Sequence, residues 1–365
     1  MAPVRVLVVD DSVVVRRLVS DALSQAPGIE VVGVAANGRL AQAKVAQLRP
    51  DAVTMDIEMP EMNGIEAVRE LRRSGHRMPI VMFSTLTERG AAATLDALAA
   101  GATDYVAKPS NVGSVQESIA RVADELVPRL RSLVPHPAGV PVSTASVATR
   151  PVPAPRPAAS RPVAVRPAPA PHAVRAMVVG SSTGGPEALS RVLSALTTAP
   201  SVPVLVVQHM PPVFTRQLAA RLDRLGPATV VEAAGGERLE AGHVYIAPGD
   251  RHLELRRVGT GLETVLTDGE PVNFCRPSVD VLFRSAVRAL GGELLALVLT
   301  GMGMDGRAGC QEVVAAGGTV VVQDEPTSVV WGMPGAVAQA GLAHRIVPLA
   351  EVAGSLEREL AGVPA

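Results

Sequence analysis

Three stretches in the C-terminal half carry residues whose types and spacing suit acyl transfer. Gly180-Ser-Ser-Thr-Gly184, followed by Gly185-Pro186, comes directly after an apolar run and reads as a strand-to-helix turn. Gly-x-Ser-x-Gly at such a turn lifts a serine hydroxyl, here Ser182, above a sheet, and the helix amino terminus favours developing negative charge. The rival reading is a phosphate-cradling loop, but no Gly-Lys-Ser/Thr follows and no GxGxxG is expected. A serine nucleophile needs a base. The next apolar run, 204–207, ends in Gln208-His209-Met210-Pro211, which puts His209 at the neighbouring strand end. The third member is an acid at the same edge. Residues 294–299 lead into Thr300-Gly-Met-Gly-Met-Asp305-Gly306, which nominates Asp305. Capping of the next helix is its alternative role, and Asp268, Asp280 and Asp324 compete; Asp280 falls inside a helical pattern and suits the role less. The order Ser–His–Asp departs from the Ser–Asp–His of α/β-hydrolases, so another fold would carry the same chemistry.

The N-terminal half holds a different set. Asp10 and Asp11 end the first apolar run, Asp56 the third, Ser84 the fourth and Lys108-Pro109 the fifth. In an open parallel sheet, chemistry lies at the carboxyl ends of strands, so these groups are expected to converge. A lone aspartate after a strand is usually a helix cap. Three together repel unless a cation sits among them, which suits Mg²⁺ and its oxygen ligands. A lysine and a small hydroxyl facing the same point suit a phosphoryl group. Basic residues here are nearly all arginine; Lys44 and Lys108 are the only lysines, which singles out Lys108.

The elements that must position these residues alternate. In the first half, strands are expected at 5–9, 30–34, 52–55, 80–83 and 105–107, with helices such as 12–26 and 91–100 between them. Continuous apolar strands alternating with helices predict an α/β doubly wound parallel sheet. The second half repeats the pattern, with strands at 176–179, 204–207, 244–246, 294–299 and 319–322 and helices at 186–196, 214–225 and 278–290. A shorter pair, 253–257 and 264–266 around Gly259-Thr-Gly261, predicts an inserted antiparallel hairpin. Between the halves, residues 134–173 hold eleven prolines, four arginines and no acid. Proline removes donors and clashes in a helix, so this reads as a semi-extended linker of polyproline character. The expected organisation is 1–133, a linker at 134–173, and 174–365.

Composition bounds the function. The 365 residues suit two domains, and 47% apolar residues suffice for a core in each. A formal net charge of −1 and only 2% aromatics argue against nucleic-acid partners. No run approaches the ~18 apolar residues of a membrane span. Cys275 and Cys310 lie far apart without a CxxC partner, so neither a disulfide framework nor a structural zinc site is indicated. A reduced, cytoplasmic protein without membrane insertion is expected.

The motifs VLVVDDS, VTMDIEMPEMNGIE, VMFSTLT and GATDYVAKP resemble, across residues 3–125, the receiver domain of response regulators. That resemblance implies a flavodoxin-like receiver with Asp56 as phosphoacceptor. It also implies Asp10, Asp11, Asp56 and the Glu58 backbone around Mg²⁺, Ser84 and Tyr105 as switch residues, Lys108 as the phosphate-binding lysine, and a histidine kinase as phosphodonor. The motifs VVGSSTGGPEAL, VVQHMPPVFT, VYIAPGDRHLEL, RPSVDVLFRSA and LTGMGMDGRAG resemble the Rossmann-like catalytic domain of the chemotaxis protein-glutamate methylesterases. This second likeness implies Ser182 as nucleophile, His209 as base, Asp305 as orienting acid, and Thr183 and Met302 beside the oxyanion. It implies demethylation of glutamate methyl esters on the cytoplasmic helices of methyl-accepting chemoreceptors, and deamidation of specific receptor glutamines, with no cofactor for the hydrolytic step. One departure is Cys275, which stands where histidine is expected before Arg276-Pro-Ser-Val-Asp280.

Overall fold

The computed structural model describes residues 2–108, 114–134, 165–167, 169 and 172–361. The expected linker at 134–173 lies almost wholly outside these. Among the described residues no helix is long and apolar enough to cross a membrane.

The first sheet is built by β1 (Val4–Val9), β2 (Ile29–Ala35), β3 (Ala52–Asp56), β4 (Ile80–Ser84) and β5 (Asp104–Ala107). Its helices are α1 (Val13–Ser24), α2 (Gly38–Leu48), α3 (Gly64–Arg73), α4 (Glu88–Ala99) and α5 (Val115–Leu133). All strands are parallel in the order β2-β1-β3-β4-β5. The central strands are mostly apolar because helices cover both faces, and β3 and β4 are buried at every residue. Helix starts follow from capping chemistry: Asn63 and Glu66 form a reciprocal capping box at α3.

The second sheet holds seven parallel strands in the order β14-β13-β12-β6-β7-β9-β8. In chain order these elements are β6 (Ala176–Ser181), α6 (Gly185–Ser194), β7 (Val204–Gln208), α7 (Pro212–Leu222), β8 (Thr229–Glu232) and β9 (His243–Ile246). There follow β10 (His252–Val258), β11 (Gly261–Thr267), α8 (Val279–Leu290), β12 (Leu294–Val298) and α9 (Arg307–Ala315). The chain closes with β13 (Thr319–Gln323), α10 (Met333–Gln339), β14 (Arg345–Val347) and α11 (Leu349–Leu360). The expected antiparallel hairpin is β10–β11. It lies against α8, where the Leu255 N–H donates to the Ser285 hydroxyl at 2.9 Å.

Strand order reverses between β1 and β3 in the first sheet and between β6 and β12 in the second, the crevices where open α/β sheets bind ligands. The two units share a core. Ala91, Leu95 and Leu98 of α4 cluster with Phe214, Leu218 and Leu222 of α7. The Tyr105 ring stacks on Phe214 with centroids 4.7 Å apart and planes 11° from parallel. At the rim of this contact Arg221 pairs with Asp96 at 2.7 Å.

Candidate functional site

Two polar sites occupy the two crevices. At the second sheet's carboxyl edge, Ser181 is in register with Gln208 across β6 and β7, and the next N–H, that of His209, donates to the Ser181 carbonyl at 3.1 Å. Ser182 and His209 therefore leave adjacent strands side by side. On the other flank, the Ser182 N–H donates to the Thr300 carbonyl at 3.1 Å, which ties the β6 turn to the loop after β12. Gln208 braces the turn from below: its Oε1 accepts from Ser181 Oγ at 2.7 Å and its Nε2 donates to the Ser182 carbonyl at 2.9 Å.

The turn differs from a strained nucleophile elbow. Its left-handed residue is Gly184 (φ 78°), and Ser182 is not among the residues with positive φ. The serine is brought close to the β12 loop by another glycine. A side chain at Gly301 would place its Cβ 2.9 Å from Ser182 Cβ and collide with Met333 Sδ. Among the described residues, no acceptor faces the backbone N–H of Thr183 or of Met302.

Of the competing acids, Asp305 is the one that meets the histidine. His209 Nε2 lies 2.9 Å from Asp305 Oδ2. Asp305 is 2% exposed, and burial alone would raise its pKa. The hydrogen bond and charge of His209, the Val279 N–H at 2.7 Å and the Asn273 amide at 2.9 Å outweigh burial and hold the carboxyl below its usual range. For His209, burial disfavours the imidazolium, but the hydrogen bond to Asp305 and the Cys275 sulfur outweigh it and raise the ring to about 9. With Nε2 committed to Asp305, Nδ1 is the remaining nitrogen, and Cys275 Sγ is its hydrogen-bond partner at 3.7 Å.

Asp305 does not cap the following helix with its side chain; Gly306 is the N-cap of α9. Asp268 pairs with Arg251 at 2.9 Å, and Asp324 accepts from the Thr327 N–H at 3.2 Å. Asp280 serves another purpose. Contrary to the expectation of no GxGxxG, Gly301, Gly303 and Gly306 after β12 have that spacing, a dinucleotide signature when a strand precedes and a helix follows. Here the Asp280 Oδ1 accepts the N–H of Gly306 at 3.0 Å and of Gly309 at 2.6 Å. The protein's own carboxylate fills the helix terminus where a phosphate would sit.

Two supporting residues, Ser278 and Asn273, escape a reading of the sequence as a sequence. Ser278 Oγ donates to Asp305 Oδ1 at 2.9 Å, and Asn273 Nδ2 bridges Asp305 Oδ1 and Asp280 Oδ2, both at 2.9 Å. Only the ordering of the segment before α8 creates these contacts.

In the first sheet the expected residues also meet. Lys108 Nζ lies 2.8 Å from Asp56 Oδ1 and 3.0 Å from Asp10 Oδ2. Oxygens of Asp10, Asp11 and Asp56 lie within 4.8 Å of one another. The Lys108 ammonium thus sits beside both Asp10 and Asp56, one cation against three clustered carboxylates, and the surplus negative charge fits a hard divalent cation such as Mg²⁺. Burial raises Asp56, the Lys108 hydrogen bond opposes it, and Asp10 adds to the rise. Glu58 lines the acids' cleft, and its side chain is exposed, 3.5 Å from Arg89. Ser84 Oγ is turned toward α4, donating to the Gly90 carbonyl at 3.2 Å and accepting from Thr94 Oγ1 at 2.7 Å. Tyr105 faces Phe214 of the second unit. Beside it, the Thr183 hydroxyl donates to Asp104 Oδ2 at 3.0 Å, which joins β5 to the residue after Ser182.

Comparisons with known proteins follow the same division. Residues 6–120 match the response regulator receiver domain family and residues 177–356 the CheB methylesterase family. A protein-glutamate methylesterase/protein-glutamine glutaminase of a Nocardioides strain is 59% identical over 99% of this chain and 96% of its own. One from Trichodesmium erythraeum is 41% identical over 99% of this chain and 100% of its own. The chain therefore belongs to the protein-glutamate methylesterase/protein-glutamine glutaminase family, hydrolases in which a receiver domain precedes a CheB methylesterase domain.

Proposed function

We propose that this chain removes methyl groups from glutamate methyl esters on the cytoplasmic helices of chemoreceptors, and deamidates receptor glutamines, through an acyl-serine formed at Ser182. The observation that carries the reading is the hydrogen bond of His209 Nε2 to buried Asp305 at the strand end beside Ser182. That bond commits Nε2 and leaves Nδ1 to take the serine proton. Ser182 Oγ attacks the ester carbonyl carbon, its proton passes to Nδ1, and the carbonyl electrons move onto oxygen. The unclaimed N–H groups of Thr183 and Met302 suit that oxyanion. Collapse expels methanol, which takes the proton from Nδ1; from a glutamine the leaving group is ammonia. Water, deprotonated by the same nitrogen, then hydrolyses the acyl-serine. None of these steps assigns a metal a role.

The receiver is the control element. A histidine kinase supplies the phosphoryl group to Asp56. Asp10, Asp11, Asp56 and the Glu58 backbone would hold Mg²⁺, which when bound offsets the charge of the acids and the incoming phosphoryl group. Lys108 pairs with the phosphate. Ser84 leaves its α4 partners for the phosphate and Tyr105 withdraws from Phe214, which weakens the docking of α4 on α7. Methanol release from a methylated receptor fragment, by the intact chain and by Ser182→Ala, tests the reading. Equal release by both proteins would overturn it.

A further inference from the structure

We infer that Cys275 and His209 form a binding site for a thiophilic divalent cation, with zinc as the probe, and that its occupancy switches the hydrolase off. The inference rests on the proposed role of His209 Nδ1 as the base.

The geometry comes first. A zinc ion 2.3 Å from a thiolate and 2.0–2.1 Å from an imidazole nitrogen, at a tetrahedral angle, separates the two donors by about 3.6 Å. Cys275 Sγ stands 3.7 Å from His209 Nδ1. The sulfur and nitrogen are thus already spaced as two ligands of one ion. The third group of the cluster, Asp305, meets the other ring nitrogen, Nε2, at 2.9 Å, and its carboxylate lies within 4.8 Å of the sulfur. A carboxylate on the second ring nitrogen is the arrangement that fixes the tautomer and raises the basicity of metal-bound histidines. Cys275 is half-buried, so water can complete the coordination shell.

Local structure holds the thiol in place. Val272 and Cys275 exchange both backbone hydrogen bonds, at 3.1 and 2.9 Å, around Asn273 and Phe274, both left-handed. Asn273 is anchored to Asp305 and Asp280. The charge balance also favours a cation. Two buried carboxylates lie behind the histidine, and the nearby guanidinium of Arg276 is taken by Asp250 at 2.6 Å. Cysteine binds such an ion as thiolate, releasing a proton, and the ion takes the Nδ1 lone pair that the serine proton requires.

The test uses the full chain with saturating Mg²⁺, which fills the receiver's carboxylates. Cobalt(II) replaces zinc for detection, because a thiolate–cobalt bond gives a near-ultraviolet charge-transfer band that oxygen ligands do not. The expected result is one cobalt per chain with that band in the native protein, in Cys310→Ala and in hydrolytically dead Ser182→Ala. Cys275→Ser should abolish the band. Zinc should inhibit methanol release by the native protein and by Cys310→Ala. In Cys275→Ser, normalised to its own zinc-free rate, half-inhibition should need at least about tenfold more zinc. No band in the native protein, or equal zinc sensitivity in Cys275→Ser, overturns the site. A band without inhibition overturns the switch. Because Ser182→Ala reports binding without turnover, failure of the metal site is separable from failure of the serine mechanism.

Discussion

Asp56 and Asp305 are both buried at carboxyl edges of parallel sheets, yet their surroundings are opposite. Asp305 receives six donors: Asn273, Ser278, Asp280 N–H and Gly306 N–H on Oδ1, and Val279 N–H and His209 on Oδ2. Asp56 receives Lys108 and the Ile57 N–H, both on Oδ1. Correspondingly, Asp305 is held below the ordinary carboxyl range and Asp56 above it. The contrast suits the roles proposed for them: a carboxylate that only orients a neighbour is saturated with fixed donors, whereas one that is to form a bond itself keeps an oxygen uncommitted.

The largest effects break each site at its reacting atom. Ser182→Ala should lower methylesterase turnover by at least ~10³-fold with the fold intact, and His209→Ala should do likewise. The double variant should be little worse than either single one, since the residues act as a unit. Additive losses, or a Ser182→Ala protein with most of its activity, would sink the assignment. At the other site, a small phosphodonor with Mg²⁺ should label the native chain with an acid-stable, base-labile phosphate, and Asp56→Asn should not be labelled. Persistent labelling at the same stoichiometry would move the acceptor to Asp10 or Asp11.

A smaller effect tests why Asp305 stays ionised. Asn273 Nδ2 bridges Asp305 and Asp280, so Asn273→Ala leaves two buried carboxylates with one shared donor fewer. Hydrogen bonds to charged groups contribute about 1.5–3 kcal/mol, so kcat/KM should fall by some tens of fold while circular dichroism stays unchanged. A loss of less than about twofold would show that the remaining donors suffice. This residue also marks where a reading of the sequence stops. Ser182, His209 and Asp305 are legible because each lies in the turn or loop that follows an apolar run, and parallel topology brings such loops together. Asn273 and Ser278 end no run; their role arises when the segment before α8 folds over the β12 loop. Short edge strands were missed for a related reason. β8 alternates exposed with covered residues, and β14 has three half-buried residues, so neither makes a continuous apolar signal. The Gly301–Gly306 spacing misleads in the other direction, because only the structure reveals Asp280 filling the helix terminus.

The contact between the two units is expected to matter less than either site, changing the rate by about tenfold. The Tyr105–Phe214 stack and the Thr183–Asp104 hydrogen bond join β5 to the turn that carries Ser182. A tenfold restraint needs only ~1.4 kcal/mol of docking energy. Cutting the chain near Pro155 should give a C-terminal fragment, containing residues 174–365, that releases methanol faster than the intact, unphosphorylated protein at equal concentration. A slower fragment would identify the receiver as an activator or docking device in place of a restraint.

The smallest predicted effect concerns His209 and pH. Burial of the ring disfavours its charged form, but Asp305 and the Cys275 sulfur favour it more, so the ring is raised to about 9. The base must be neutral to accept the serine proton. Activity of the native enzyme should therefore rise with pH through neutrality and level off on the alkaline side. Cys275→Ala removes one of the groups that stabilise the imidazolium. The folded-state pKa of His209 must then fall, and the rising limb must move to lower pH. A fall of about half a unit would roughly triple the neutral fraction at pH 7. The measurement is kcat/KM for methanol release from pH 6 to 10 with a chelator present, so that no adventitious metal occupies Nδ1. A limb that stays in place, or moves to higher pH, would mean that the sulfur does not set the charge of the ring, and that Asp305 alone does.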